Sequence, residues 1–223
     1  MSPSVFDIIG PAMIGPSSSH TAGAVRIGLI ARHLLGKPPV LARVGLHGSF
    51  AATGQGHATD RGIVSGLLGW APDDSRLKDS LQFAAQQGML VEFSMIDLGE
   101  AVHPNSASIV LACEKGEQIA LIASSVGGGS IEVVSVDEFA VRFSGAFDSL
   151  AIWHEDRPGF LAHVTAILAC IGANIATIQT ARRHRAEDAL TVIELDAAPL
   201  PEAAALLRKI THVRRLVSLP PLP

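Results

Sequence analysis

Cysteine is scarce in this chain, whose 223 residues include two, Cys113 and Cys170. They lie far apart and form no Cys-x-x-Cys pair. We expect both to be buried apolar thiols, because free cysteine is commonly a core residue. A 4Fe–4S cluster takes four cysteine thiolates, or three where one iron stays open, so this chain alone cannot supply its ligands.

Basic charge and long apolar runs are also lacking. The net charge is −4 and the isoelectric point about 6.1, so nucleic acid is not the expected partner. No apolar run is long enough to span a bilayer, and the segment MSPSVFDIIG lacks the basic start of a signal peptide. We therefore expect a cytoplasmic protein with no membrane partner. Its 48% hydrophobic residues allow a sizeable core, and its length suits two domains.

The first two thirds of the chain predict a mixed α/β domain, residues 1–147. Apolar periodicity and glycine or proline stops predict its elements. Helices are expected over 22–35, 61–69 and 73–88; strands over 40–48 and 90–98, in a hairpin around Lys115-Gly116-Glu117, and over 131–136. Between the first strand and the second helix, a polar, glycine-rich loop is expected over 47–60.

The remaining residues, 148–223, predict a second domain with the strand and helix order βαββαβ, which is the ferredoxin-like arrangement. Its first helix, FLAHVTAILACIG, is expected to turn five apolar side chains inward. They are Leu161, Val164, Ile167, Leu168 and Ile171.

The stretch GPSSSHTAG places Ser17, Ser18, Ser19, His20 and Thr21 directly before the first predicted helix. One interpretation is a helix cap formed by Ser19 or Thr21, with the other residues as part of the turn, because a single serine or threonine oxygen is enough. The other is a binding site for a small anion, because free N–H groups and a partial positive charge at a helix start attract carboxylate or phosphate. No Gly-Lys pair follows, which excludes a Walker nucleotide loop.

Two further polar loops favour a composite site. HGSFAATGQGHATD contains His47, Ser49, Thr53, His57, Thr59 and Asp60, and HPNSA contains His103, Asn105 and Ser106. Both follow predicted strands, where α/β folds commonly place their sites. Three histidines, His47, His57 and His103, also leave a zinc site open, although their spacing is unlike a helical HExxH pair. A serine hydrolase is disfavoured because the chain has no GxSxG elbow.

Three stretches closely resemble the beta chain of bacterial iron–sulfur-dependent L-serine dehydratase: SVFDIIGPAMIGPSSSHTAGAVRIG, HGSFAATGQGHATD and SVGGG. The block HEDRPGFLAHVTAIL followed by GANI resembles an ACT domain, a βαββαβ amino-acid sensor. The first domain also resembles the allosteric substrate-binding fold found beside ACT domains in some phosphoglycerate dehydrogenases.

The resemblance implies an L-serine ammonia-lyase that converts L-serine to pyruvate and ammonia. It implies a 4Fe–4S cluster whose cysteines and open iron belong to an alpha chain, the expected partner, in a dimer of alpha/beta pairs. The iron would act as a Lewis acid on the substrate. His20 is the expected catalytic residue, and Ser17, Ser18, Ser19 and Thr21 are expected to bind the substrate carboxylate. We expect His47, His57, His103 and Asn105 to contribute to substrate binding.

For the ACT domain, the resemblance implies an amino-acid effector near the first strand-to-helix turn and the start of the second strand. It points to His154, Asp156, Gly159 and Asn174 as effector-binding residues. Two alternatives remain open at this point. The ACT domain serves for dimerisation alone, or the whole chain is a non-catalytic amino-acid-sensing subunit, which would have no need of the SSSHT turn.

Overall fold

The computed structural model describes residues 12–54, 56–184, 187–199 and 201–223. The segment SVFDIIGP at 4–11, part of the resemblance above, and Gln55 of the histidine-rich loop lie outside the described residues. The chain divides into two compact units, Met1–Glu138 with Pro223, and Phe139–Leu222. The domain boundary expected between 147 and 148 stays a prediction.

Unit 1 contains a five-stranded mixed sheet with helices packed against it. Its strands are β1 Pro39–His47, β2 Leu90–Met95, β3 Asn105–Cys113, β4 Gln118–Gly127 and β5 Ser130–Val136. Its helices are α1 Gly23–Leu35, α2 Gly48–Thr53, α3 Thr59–Leu68 and α4 Ser80–Gln86, with a π-helical turn at Ser18–Ala22 and a 3₁₀ turn at Leu77–Asp79. The strand order is β2-β1-β3-β4-β5. Strand β1 runs parallel to β2, and the other neighbours are antiparallel.

Two predicted segments of unit 1 differ from the structure. The loop predicted at 47–60 contains helix α2, because Phe50 is fully buried and the hydroxyl of Thr53 donates to the Ser49 carbonyl at 2.8 Å. The helix predicted from 73 begins later, at the 3₁₀ turn. Asp74 instead accepts from the backbone N–H of Arg76 at 2.9 Å, a local bond that competes with helix formation.

Helices α1 and α3 pack backbone against backbone. A Cβ added to Gly28 would overlap the carbonyl oxygen of Ile63, and one added to Gly66 would lie 2.5 Å from the Leu29 nitrogen. A Cβ on Gly62 would lie 2.9 Å from the Thr21 carbonyl oxygen. Glycine is therefore needed where the helices cross, and the close approach sets the start of α3 beside the turn that precedes α1.

Unit 2 has the predicted βαββαβ order. Its elements are β6 Asp148–Glu155, α5 Phe160–Cys170, β7 Ile175–Arg182, β8 Asp188–Leu195, α6 Pro201–Arg208 and β9 Val213–Leu219. The four strands form an antiparallel sheet in the order β7-β8-β6-β9. The ferredoxin-like arrangement is confirmed.

Helix α5 buries a narrower face than predicted. Phe160, Val164 and Leu168 are buried at four-residue spacing, and Ile167 and Ile171 pack against this core as partly buried residues. The inward position predicted for Leu161 is wrong, since 40% of it is exposed, and Phe160 occupies the first turn of the buried face instead.

The prediction for the cysteines is half right. Cys113 is buried, but Cys170 is exposed. It lies two residues after Leu168 and therefore on the opposite face of α5. Within the described ranges, no helix is both long and apolar enough to cross a membrane.

Candidate active site

The stretch SSSHT forms a capped turn that leads directly into α1. Ser17 is the N-cap, with extended backbone, and its hydroxyl oxygen accepts from the backbone N–H of His20 at 3.1 Å. The chain then makes a π-helical turn at Ser18–Ala22, in which Thr21 is fully buried. A helix cap is thus present, but Ser17 forms it, and not Ser19 or Thr21, which the cap interpretation named. Within the described part of the chain, the hydroxyls of Ser18 and Ser19 have no hydrogen-bond partner.

His20 is the centre of a side-chain cluster. Its Nε2 forms a hydrogen bond of 3.0 Å with the hydroxyl of Ser49, and its Nδ1 lies 3.5 Å from the hydroxyl of Ser17. The ring lies 5.3 Å from that of Phe50 and 5.0 Å from that of His57, measured between centroids. Burial and the neighbouring His57 lower the pKa of His20, and a hydrogen bond with the backbone of Ser49 opposes this shift. The neutral imidazole is therefore favoured at neutral pH.

His57 is joined to the SSSHT turn through its backbone. Its carbonyl oxygen accepts from the hydroxyl of Thr21 at 2.9 Å, which ties the second polar loop to the first. The next residue, Ala58, has a φ of 58°, a left-handed conformation that is uncommon for alanine. Among the described residues, the buried Nδ1 of His57 has no partner. Backbone strain beside a polar side chain with unused hydrogen-bonding capacity is typical of functional sites.

The HPNSA loop supports the same cluster from the other side. The carbonyl of Pro104 accepts from the N–H of Ser49 at 2.8 Å, and Asn105 pairs with Gly48 in an antiparallel bridge. The side chain of His103 is exposed, and its Nδ1 accepts from the N–H of Asn105 at 3.1 Å. The backbones of the three predicted loops are therefore joined by hydrogen bonds, while the imidazole of His103 is bonded to its own loop.

His47 ends strand β1, and its imidazole contacts the segment that follows β2. Its Nδ1 accepts from the N–H of Leu98 at 3.2 Å and lies 3.8 Å from an oxygen of Asp97. The described residues contain no group of three or more His, Cys, Asp or Glu side chains that could hold a metal ion. The zinc alternative built on His47, His57 and His103 is accordingly not supported.

An open cleft of about 580 Å³ adjoins His57. Helix α2 and the loop after it line one side, and Phe93, Ser94 and Met95 of strand β2 line the other. Phe93 and Met95 are exposed, Met95 by 81%. The cleft also reaches Asp60, in the first turn of α3.

Ser49 is the cluster residue that the sequence analysis mentioned but did not select. It lies in the first turn of α2, where its hydroxyl meets His20 across 29 positions of sequence. The available signal was a serine directly after the end of a predicted strand. The helix that aims it was not predicted, so the signal was not sufficient.

The residues predicted to bind an effector all belong to unit 2, but Asn174 lies at the other end of its sheet from His154, Asp156 and Gly159. His154 is buried, stacked on Phe160 with ring centroids 3.5 Å apart, and its nitrogens contact the Glu155 carbonyl at 2.7 Å and the Thr191 hydroxyl at 2.8 Å. Both nitrogens are thus engaged within the fold. Burial is the main cause that lowers the pKa of His154.

The other three effector candidates are more accessible. Asp156 accepts from Arg182 at 2.8 Å, and the amide of Asn174 donates to Asp196 at 2.6 Å. Gly159 caps α5 with a φ of 82°, and a Cβ there would meet nothing within 4 Å. Asp156 follows the end of β6 and precedes the N-terminus of α5. Asn174 lies at the opposite end of the sheet, because Ile175 and the first residue of β6, Asp148, both pair with Leu195.

Comparison with known proteins identifies both parts of the chain. The family described as "Serine dehydratase beta chain" matches residues 4–135, and the ACT domain family matches residues 149–212. Among solved structures, the ACT domain of a GTP pyrophosphokinase from Chlorobium tepidum aligns with 32% of this chain and 95% of its own, with 20% identity and a TM-score of 0.29.

Two curated relatives align over most of their length. "Probable L-serine dehydratase, beta chain" of Bacillus subtilis (strain 168) is 45% identical over 193 residues, 86% of this chain and 87% of the relative. "L-serine dehydratase, beta chain" of Peptoniphilus asaccharolyticus is 37% identical over 200 residues, 90% of each. "L-serine dehydratase 2" of Escherichia coli (strain K12) is 49% identical over 76 residues, 31% of this chain and 16% of the relative.

Proposed function

Because this chain belongs to the family of serine dehydratase beta chains and carries an ACT domain, we propose that its SSSHT turn is one part of an active site that an alpha chain completes. The chain is the beta chain of an L-serine dehydratase, a lyase of alpha and beta chains. The proposed reaction of the assembled enzyme is the conversion of L-serine to pyruvate and ammonia. The observation that carries the proposal is the cluster of His20, Ser49 and His57 around the turn.

The described residues do not fit a 4Fe–4S cluster as its ligands. The buried thiol of Cys113 donates to Glu117 at 2.7 Å, and the exposed Cys170 lies in unit 2. Two cysteines in the whole chain are also too few for the three thiolates that such a cluster needs. We therefore assign the cluster and its cysteines to the alpha chain.

His20 is the proton-handling residue in this proposal. Its lowered pKa keeps the imidazole neutral at neutral pH, in the form that accepts a proton. Ser49 holds Nε2 at 3.0 Å, which leaves Nδ1, with its longer 3.5 Å contact to Ser17, as the nitrogen that exchanges a proton with the substrate. The ring centroid of His57 lies 5.0 Å from that of His20, and His57 lines the cleft. In this proposal His57 contacts the substrate beside His20.

The hydroxyl groups of the turn have two different tasks. Ser18 and Ser19, half-buried and without hydrogen-bond partners in the described ranges, are the groups we assign to the substrate carboxylate. Thr21 is fully buried and its hydroxyl donates to His57, so we assign it to positioning rather than to substrate contact. His47, His103 and Asn105 stay predicted substrate-binding residues, with His47 and His103 engaged in their own loops.

Reconstitution with an alpha chain tests the proposal. The chain and a candidate alpha chain are co-expressed, purified anaerobically and assayed for pyruvate formed from L-serine, beside each chain alone. We expect activity in the mixture only, with iron and sulfide following the alpha chain. His20→Ala should assemble normally and lose about 100-fold or more in kcat, the usual contribution of a positioned acid or base.

The matched control is His163→Ala, which removes an exposed histidine of unit 2 and should leave kcat unchanged. Full activity in His20→Ala would remove His20 from the mechanism. An assembled, iron-loaded but inactive wild-type complex would instead favour the alternative, a non-catalytic amino-acid-sensing subunit.

For unit 2 we propose that an amino-acid effector binds at the N-terminus of α5. The free N–H groups of that helix start suit a carboxylate, and Asp156 lies four residues before Phe160, the first residue of α5. Asn174 stays a predicted effector-binding residue, although it lies at the opposite end of the sheet. Both ring nitrogens of His154 are engaged within the fold, so we do not assign them to the effector. His154 instead stabilises the start of α5 through its stack on Phe160. A dimer of alpha/beta pairs and a cytoplasmic location stay predictions.

A further inference from the structure

The cleft beside His57 has an unusual charge balance for a site that receives an amino acid. Among its described lining residues, Asp60 is the one carboxylate and His57 the one imidazole, and no Lys or Arg side chain takes part. The rest of the lining is apolar side chains, small residues and the hydroxyls of Thr53 and Ser94. Such a cleft has no fixed cation to hold a carboxylate, and its single fixed charge is negative.

Asp60 is held in place and yet keeps unused hydrogen-bonding capacity. It lies in the first turn of α3, where an acidic side chain is stabilised by the helix dipole, and it is half-buried. Its Oδ1 accepts from the backbone N–H of Arg61 at 2.8 Å. Within the described part of the chain, Oδ2 has no ion-pair or hydrogen-bond partner. One carboxylate oxygen is thus fixed by the fold, and the other is available to a cationic donor.

Asp60 lines the same cleft as His57, so the cation that it binds would be a group of the substrate. His57 lines the cleft together with Asp60, and its ring centroid lies 5.0 Å from that of His20. A ligand in the cleft can therefore contact both His57, the neighbour of His20, and the carboxylate of Asp60. L-serine has one cationic group, its ammonium, and its own carboxylate finds no cation in this cleft.

We propose that Asp60 binds the ammonium group of the substrate and makes the site specific for amino acids over hydroxy acids. The inference rests on the proposed function and adds the residue that recognises the amino group. A charge-assisted bond between ammonium and carboxylate is about twice as strong as a neutral hydrogen bond, and its loss leaves a buried partner unpaired. In this proposal the hydroxyls of the SSSHT turn bind the substrate's carboxylate.

Two competitive inhibitors that differ only in the amino group test this assignment. L-alanine and L-lactate both lack the leaving hydroxyl of serine, and L-lactate carries a hydroxyl in place of the ammonium. Inhibition constants are measured for both with the reconstituted alpha/beta enzyme, and direct binding is measured by isothermal titration calorimetry. For wild type we expect L-alanine to bind at least roughly tenfold more tightly than L-lactate, the discrimination typical of a site built to bond a polar group.

Asp60→Asn keeps an oxygen for the Arg61 N–H and removes the charge. The preference for L-alanine should then fall to near one, while the affinity for L-lactate stays the same. Asp60→Glu restores the charge and should restore part of the preference. Asp73→Asn, an exposed acid outside the cleft lining, is the matched control and should keep the wild-type ratio.

The possible outcomes distinguish a failure of the proposed function from a failure of the assignment of Asp60. A wild-type complex without turnover would count against the proposed function, and the calorimetric ratio would still test Asp60. An active complex whose preference is unchanged in Asp60→Asn would overturn the assignment and leave Asp60 as a helix-stabilising acid. Equal loss of both affinities in Asp60→Asn would also overturn it, because a general distortion of the cleft does not discriminate between the two inhibitors.

Discussion

Hydroxyl groups hold the imidazole of His20 on both sides, and no carboxylate takes part in either contact. Ser49 bonds Nε2 at 3.0 Å, and Ser17 lies 3.5 Å from Nδ1. A neutral partner orients a histidine without stabilising its cation strongly, so the pKa of His20 stays lowered by burial and by His57. The pair of serines therefore selects a ring orientation and keeps the ring neutral.

Ser49→Ala in the reconstituted enzyme should lower kcat by roughly tenfold to a hundredfold, because His20 loses the group that orients it. The backbone of Ser49, and not its hydroxyl, raises the pKa of His20, and Ser49→Ala keeps that backbone. The acid limb of the kcat profile, where His20 becomes protonated, should therefore stay at its wild-type pH. An unchanged free energy of unfolding beside the lowered kcat distinguishes this orienting role from a structural one.

Ser49→Thr keeps the hydroxyl and serves as the control for Ser49→Ala. It should retain most of the activity. A wild-type kcat in Ser49→Ala would contradict the orienting role of the Ser49 hydroxyl.

Residue types alone indicated where the polar cluster lies but not which atoms meet. His20 and His57 were chosen from composition and resemblance, and their rings do come within 5.0 Å. Ser49 was passed over, and the burial of Thr21 and His154 was not foreseen. These details depend on helix crossings and side-chain stacks between distant segments, which local periodicity does not encode.

At the scale of elements, the crossing of α1 and α3 holds the site together. The two helices meet at Gly28 and Gly66, and the contact of Gly62 with Thr21 extends this packing to the SSSHT turn. A side chain at the crossing would push apart the two segments that carry His20 and His57.

Gly66→Ala should therefore lower the free energy of unfolding by about 2 kcal/mol, in the range of overpacked cores, despite the better helix propensity of alanine. Gly56→Ala is the matched control, since its Cβ would lie 3.7 Å from the Thr53 carbonyl oxygen, an ordinary contact. Urea denaturation followed by circular dichroism measures both variants. An unchanged denaturation midpoint for Gly66→Ala would contradict the close contact between the backbones of α1 and α3.

Most elements were predictable because their apolar periodicity is strong. The strands of unit 2 and the hairpin around Lys115-Gly116-Glu117 follow this pattern. Helix α2 was missed because a six-residue helix in a glycine-rich segment has little periodicity, and its one large anchor is Phe50. Leu161 was misplaced because an apolar residue at the start of a hydrophobic helix fits either edge of the buried face.

At the scale of the whole molecule, the chain carries one tryptophan in each unit. Trp70 belongs to unit 1 and Trp153 to unit 2, where Arg215 lies over its ring at 4.7 Å. Trp153→Phe and Trp70→Phe therefore give chains whose fluorescence reports the unfolding of unit 1 and of unit 2, respectively. This property separates ligand binding at the SSSHT turn from binding at the ACT site.

An effector bound at the N-terminus of α5 should stabilise unit 2 in proportion to its occupancy, by about 2.7 kcal/mol at a hundred times its Kd. In Trp70→Phe we expect an amino-acid effector, with L-serine tested first, to raise the denaturation midpoint seen by Trp153. Adding Asp156→Asn should abolish that shift, because it removes the carboxylate that we assign to the effector's ammonium group. The exposed pair of Asp156 with Arg182 contributes little stability of its own. A shift that persists in Asp156→Asn would place the effector elsewhere, and no shift with any amino acid would favour an ACT domain that serves for dimerisation.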